Sequence, residues 1–232
     1  MTIEETIKSL SQTYNVKVEK TEKTYAPLSY ISETDTILYN PPIINEIYRE
    51  FRKYGRITLK DFITHVFGHE LAHRKKYKSY KEAAKIEYVL MTFFYEPQRA
   101  LESLSTKQHY PLWRAASATY MLFEEYYAVK ENPLHNPFVH RIDTAIRAKA
   151  LKEKLQDIRK LMHAVVIAPP EPLKHYLISS IAFLPTKYFR IFPEYLTIRK
   201  IKLYLENEIT TPSDVFNLRK IQKVAEIFLY EL

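Results

Sequence analysis

His69-Glu70-Leu71-Ala72-His73 lies inside an unbroken stretch running from Thr58 to Lys76, and its reading decides the fold. Thr58 followed by Asp61 has the form of a capping box, with an acid where the helix dipole favours one. No Pro interrupts the chain from there to Lys76, and Gly55 lies just outside. Phe62, Ile63, Val66, Phe67, Leu71 and Ala72 spread round most of a helix, so the segment is expected to be a buried core helix. Residues four apart share a helix face, so His69 and His73 can bind one zinc ion with Glu70 beside the metal-bound water. Burying two His and a Glu requires partners for all of them, and a metal supplies one.

Val66-Phe67-Gly68-His69-Glu70-Leu71-Ala72-His73 resembles the active-site helix of the zincin metallopeptidases, in which uncharged residues surround the motif. Arg74 departs from that pattern. The resemblance covers about ten residues. It implies zinc held by His69 and His73, with Glu70 as general base.

A hydrolytic zinc site takes a third protein ligand and leaves the fourth position to water. The metzincin continuation is absent, because Arg74-Lys75-Lys76-Tyr77-Lys78-Ser79 follows. The gluzincin pattern, a Glu from a later helix, fits best at Glu125. Trp113 to Glu131 reads as one helix closed by Asn132-Pro133. Apolar Ala118, Met121, Leu122, Ala128 and Val129 share the face of Glu125, whereas Ser117, Tyr120, Tyr127 and Glu131 make a wetter face around Glu124. A carboxylate on an apolar stripe needs a cation. Glu125-Tyr126-Tyr127-Ala128 also resembles the Glu-x-x-Ala of several gluzincins, with Val129 where an acid often follows. Glu124 and His109 are the alternative third ligands. Glu82 reads as a capping-box residue after Ser79, and Glu87 as an ordinary helix acid. His65 falls outside the tetrahedral set and reads as a core or supporting residue. An oxyanion also needs a donor. Tyr126, Tyr127, His135 and His140 are the candidates.

At 232 residues and 46% hydrophobic, the chain can bury a full core. The absence of Cys excludes disulfides, thiol catalysis and Cys-based zinc ligation. No apolar run is long enough for a membrane span, and Met1-Thr2-Ile3-Glu4-Glu5 lacks a signal-peptide core, so the expected location is cytoplasmic. With 2 Gly, 19 Tyr and 27% charged residues, the composition leans towards that of a thermophile. Net charge is +8, and the densest basic run is Arg74, Lys75, Lys76, Lys78 and Lys81. A second spread lies on Arg141, Arg147, Lys149, Lys152, Lys154, Arg159 and Lys160, interleaved with Glu153 and Asp157. Solvated helix faces explain both better than a nucleic-acid surface does.

The expected elements are a helix over 3–12, a strand over Val16 to Lys20, and a hairpin of Leu28 to Ser32 with Thr36 to Tyr39. A helix from Ile43 to Tyr54 closes at Gly55. Beyond the metal-motif helix, further helices are expected at about 80–95, 112–131, 139–166, 173–184, 194–208 and 213–231. Ala168-Pro169-Pro170-Glu171-Pro172 is the boundary candidate. The expected fold is α+β and mostly α: a small amino-terminal sheet packed on the motif helix, as in zincins, with a helical carboxy-terminal half. Residues 1–168 form the zincin-like metallopeptidase domain and 169–232 a helical lobe. The leading function is a zinc metallopeptidase acting on a peptide or protein substrate. A zincin-fold regulatory or binding protein and a basic helical nucleic-acid-associated protein are the alternatives.

Overall fold

Thr2 opens the first helix, α1 (Ile3–Tyr14), through a complete capping box with Glu5. Asn15, in the left-handed region at φ 45°, closes it. Three short strands follow: β1 (Lys17–Lys20), β2 (Leu28–Ile31) and β3 (Thr36–Tyr39). The computed structural model describes residues 2–24, 26–80, 83–95, 99, 102, 108, 110–154, 172–192 and 195–231.

The β2–β3 hairpin is antiparallel, with Tyr30 opposite Ile37. Its turn includes Asp35 at φ 49°, a backbone conformation that Asp tolerates better than most residues. β1 pairs parallel to β3, so the order is β1-β3-β2 and β2 is an edge strand. Asn40 caps α2 (Pro41–Tyr54), and its side-chain Nδ2 also donates to the Thr24 carbonyl at 2.8 Å. The expected start at Ile43 moves to Pro41 because Pro suits a first helical turn, where its missing N–H has no partner to lose.

The motif helix is α3 (Leu59–Ser79). Thr58 and Asp61 form its expected capping interactions: Thr58 Oγ1 accepts from the Asp61 amide at 3.0 Å, and the Thr58 amide donates to Asp61 at 3.4 Å. Phe62, Ile63, Phe67, Gly68, Leu71 and Ala72 are buried, together with His65, Glu70, His73 and Lys76. Apolar residues of α1, the sheet, α2, α3 and the later helix α6 (Pro137–Lys154) make one core, which includes Ile7, Ile37, Ile44, Phe67 and Val139. This is the first of two compact units, Met1–Lys78 with Ala128–Arg147.

The second unit, Ser79–Tyr127 with Ala148–Leu232, is helical among its described residues. It holds α4 (Ala83–Tyr95), most of α5 (Tyr110–Lys130), the end of α6, α7 (Pro172–Phe183) and a 3-10 turn at Thr186–Phe189. α8 (Tyr195–Glu208), α9 (Pro212–Val215) and α10 (Leu218–Tyr230) complete it. The single helix expected over 213–231 is broken. Phe216 is buried, and the Asn217 side chain accepts from the amides of Arg219 and Lys220, starting a new helix. The interior includes Tyr120, Phe123, Ile181, Leu205 and Phe228, with Tyr80 stacked on Phe216. The buried Lys202 ammonium donates to the Ala182 carbonyl at 2.9 Å, and burial pulls its pKa down to about 8. The boundary expected at 168/169 lies outside the described residues. Among the described residues, no helix is long and apolar enough to cross a membrane.

Candidate metal centre

One turn of α3 carries His69 and His73 on the same face, and their Nε2 atoms converge to 3.1 Å. Two nitrogens at tetrahedral positions around zinc, each ~2.0–2.1 Å from the ion, stand about 3.3 Å apart, so this pair fits a shared ion. The same two atoms are within hydrogen-bonding distance of each other. The rings meet nearly edge-on, at 82° with centroids 4.7 Å apart. One carboxylate oxygen of Glu70 joins them, and the ligand atoms of His69, Glu70 and His73 all lie within 4.8 Å of one another.

Glu70 is anchored from the sheet. Its Oε2 accepts the backbone amide of Tyr30 at 2.8 Å. Tyr30 lies on β2, whose other side is paired with β3, so this amide points off the sheet's open edge. The carboxylate beside the histidine pair therefore sits at the edge strand. Sequence patterning missed Tyr30, because a backbone donor leaves no signature in residue type.

Arg74, the departure from the zincin pattern, ties the end of the site helix to the first unit. Its guanidinium binds both carboxylate oxygens of Asp35, at 2.7 and 2.9 Å, and the carbonyls of Tyr14 and Asn15. Arg74 holds the Asp35 carboxyl well below the usual range, with Lys78 and Tyr30 adding to the effect against desolvation. Lys78 pairs with Asp35, Lys75 with Glu131, and Lys76 is buried with its ammonium 4.3 Å from the Tyr77 ring centroid. These described members of the basic run are thus ion-paired or buried, while Lys81 lies outside the described residues. The solvated-face expectation fails at Lys76, whose burial is complete.

The other expected residues separate into groups. Glu124 and Glu125 are both half-buried on α5, in the second unit. The burial contrast expected between their faces is absent, since Ser117, Tyr120 and Tyr127 are as buried as Ala118, Met121 and Leu122. What distinguishes Glu125 is its Glu-x-x-Ala register. Tyr127 is a core residue, and the half-buried Tyr126 has the Lys202 ammonium 5.6 Å from its ring. Burial, followed by Glu206, raises the Tyr126 pKa. Glu87 is half-buried on α4. Glu82 and His109 lie outside the described residues.

His135 and His140 come together with His65 in a separate cluster. Their ligand atoms also fall within 4.8 Å of one another. Burial, followed by the neighbouring His135, pulls the His65 pKa down to about 4, and the same two causes lower that of His140. A loop stapled to α3 builds this cluster. Asn132 Nδ2 donates to the His65 carbonyl at 3.0 Å, and Asn132 Oδ1 accepts from the Leu134 amide at 2.9 Å. Gly68 permits the approach, because a Cβ there would stand 2.1 Å from Asn132 Oδ1 and 2.6 Å from Leu134 Cβ. In the sequence Asn132 reads only as a helix terminator, the local meaning of an Asn-Pro dipeptide.

Comparison with protein-family models, with curated proteins and with solved structures found no match for this chain.

Proposed function

We propose that the chain is a zinc-dependent metallopeptidase of gluzincin type, with His69 and His73 as zinc ligands and Glu125, by its sequence register alone, as the candidate for the third. The observation that carries this reading is the 3.1 Å convergence of His69 and His73 beside a carboxylate anchored on an edge strand. A bound zinc ion supplies Lewis acidity and lowers the pKa of its water towards ~7.

The chain's own residues supply the rest. Glu70 is the general base. With Oε2 accepting from Tyr30, Oε1 is the oxygen that takes the proton of the attacking water and returns it to the leaving nitrogen. Anchoring the base to the Tyr30 amide places it beside the β2 edge, whose remaining outward-facing backbone groups can pair with an extended peptide and set its register. Arg74 and the Asn132 loop brace α3 on either side of the histidine pair.

The experiment is hydrolysis of an unstructured protein such as casein, with zinc content measured on the same preparation. Turnover that requires zinc, and that Glu70→Gln removes without removing zinc, supports the peptidase. Zinc bound with no turnover of any unstructured protein favours the regulatory zincin-fold alternative instead.

A further inference from the structure

We propose that His65, His135 and His140 form a second metal site, for a borderline divalent cation of the zinc, nickel or copper(II) class. The ligand atoms lie within 4.8 Å of one another and come from the middle of α3, the Asn132–Asn136 loop and the first turn of α6. Imidazole suits these metals, and the cluster contains no carboxylate that would favour calcium or magnesium. His65 is buried, His140 half-buried and His135 exposed, which leaves a route for an ion to enter. Asp143, one turn beyond His140, adds negative charge near the cluster, and Arg147 pairs with it at 2.9 Å.

The loop is held in place for this arrangement. Asn132 bonds the His65 carbonyl, Gly68 lets the loop approach, and Asn136 caps α6 through the amides of Phe138 and Val139. One bond works against the ion. His65 Nδ1 accepts the Asn136 amide at 3.0 Å, so the neutral ring carries its proton on Nε2. Ligation through Nε2 moves that proton to Nδ1 and gives up the Asn136 bond, with no net proton released. His135 and His140 therefore engage first, and closure by His65 is coupled to the loop.

The test is titration of the metal-stripped full-length chain with zinc and, separately, nickel, followed by calorimetry and metal analysis. Wild-type protein should take a second equivalent beyond the one that depends on His69 and His73. His135→Ala and His140→Ala should each weaken that second equivalent by roughly tenfold or more while keeping the first. His69→Ala should lose the first and keep the second, which separates this site from the peptidase reading. His135 is exposed, so its replacement leaves the core intact, and His135→Gln provides a second variant. The Asn136 amide resonance should shift only as the second equivalent binds. No second equivalent in the wild type, or one that survives both His135→Ala and His140→Ala, overturns the proposal. Loss of all metal in His69→Ala also overturns it, because one shared centre is then present.

Discussion

Glu70 is the residue on which the chemical reading turns, because its carboxylate lies within 4.8 Å of the histidine ligand atoms and accepts from the edge strand. Glu70→Gln keeps size and an acceptor for the Tyr30 amide but removes the proton acceptor. Zinc should stay, and hydrolysis should fall by ~10²-fold or more, read from turnover and metal content on one sample. Loss of zinc in that variant makes Glu70 a ligand and ends its role as base. The third ligand is tested by pairing Glu125→Ala with Glu124→Ala. Only the first should weaken zinc binding sharply, and the reverse result moves the assignment to Glu124. Arg74 and Asp35 carry a pH-dependent contribution to stability. The folded Asp35 pKa is depressed, so this contribution is present above the unfolded value near ~4 and is lost as pH falls towards the folded one. Arg74→Ala should cost about 1–2 kcal/mol at neutral pH, with Asp35's exposure discounted, and the difference from wild type should shrink in acid. Urea melts at pH 7 and pH 3 check both. An Arg74→Ala difference that stays constant with pH excludes the pair as its source.

At the scale of elements, the contact between α3 and the Asn132 loop is the most sensitive. Gly68→Ala gains ~1 kcal/mol of helix propensity but drives a methyl into Asn132 and the Leu134 backbone. Overpacking of this kind costs about 1–3 kcal/mol and sometimes more, so the net change should be destabilising in a thermal melt. A stabilised variant places the loop farther from the helix. The motif helix, its cap and the hairpin were legible in the sequence because their signals are local: Thr58 with Asp61, period-2 alternation, and an acidic turn. The parallel pairing of β1 with β3 was not, since it joins non-adjacent strands and leaves no mark in either one. Apolar patterning also misjudged α5. Ser117 and Tyr120 read as wet positions, yet both are fully buried, because neighbouring elements enclose the whole circumference of the helix there. The break at Asn217 was readable in principle, as Asn is a strong N-cap, but an amphipathic pattern continuing on both sides hid it. His65 and His135, seventy positions apart in sequence, are brought together only by the fold.

At the scale of the whole molecule, a net charge of +8 does not by itself make a nucleic-acid surface. The described residues of the densest basic run are engaged with Asp35, Glu131 and Tyr77. What remains of the candidate chemistry in the first unit is concentrated on α3. Metal bound there in the folded state should also stabilise it by mass action, raising the melting temperature with added zinc. The most direct measurement is zinc per chain by mass spectrometry on protein purified without chelators, for wild type, His69→Ala and His73→Ala. The wild type should hold a tightly bound zinc equivalent that both variants lose while keeping their helical circular dichroism. A wild-type chain that purifies without zinc, and on titration takes up none that depends on His69 and His73, contradicts the metal centre.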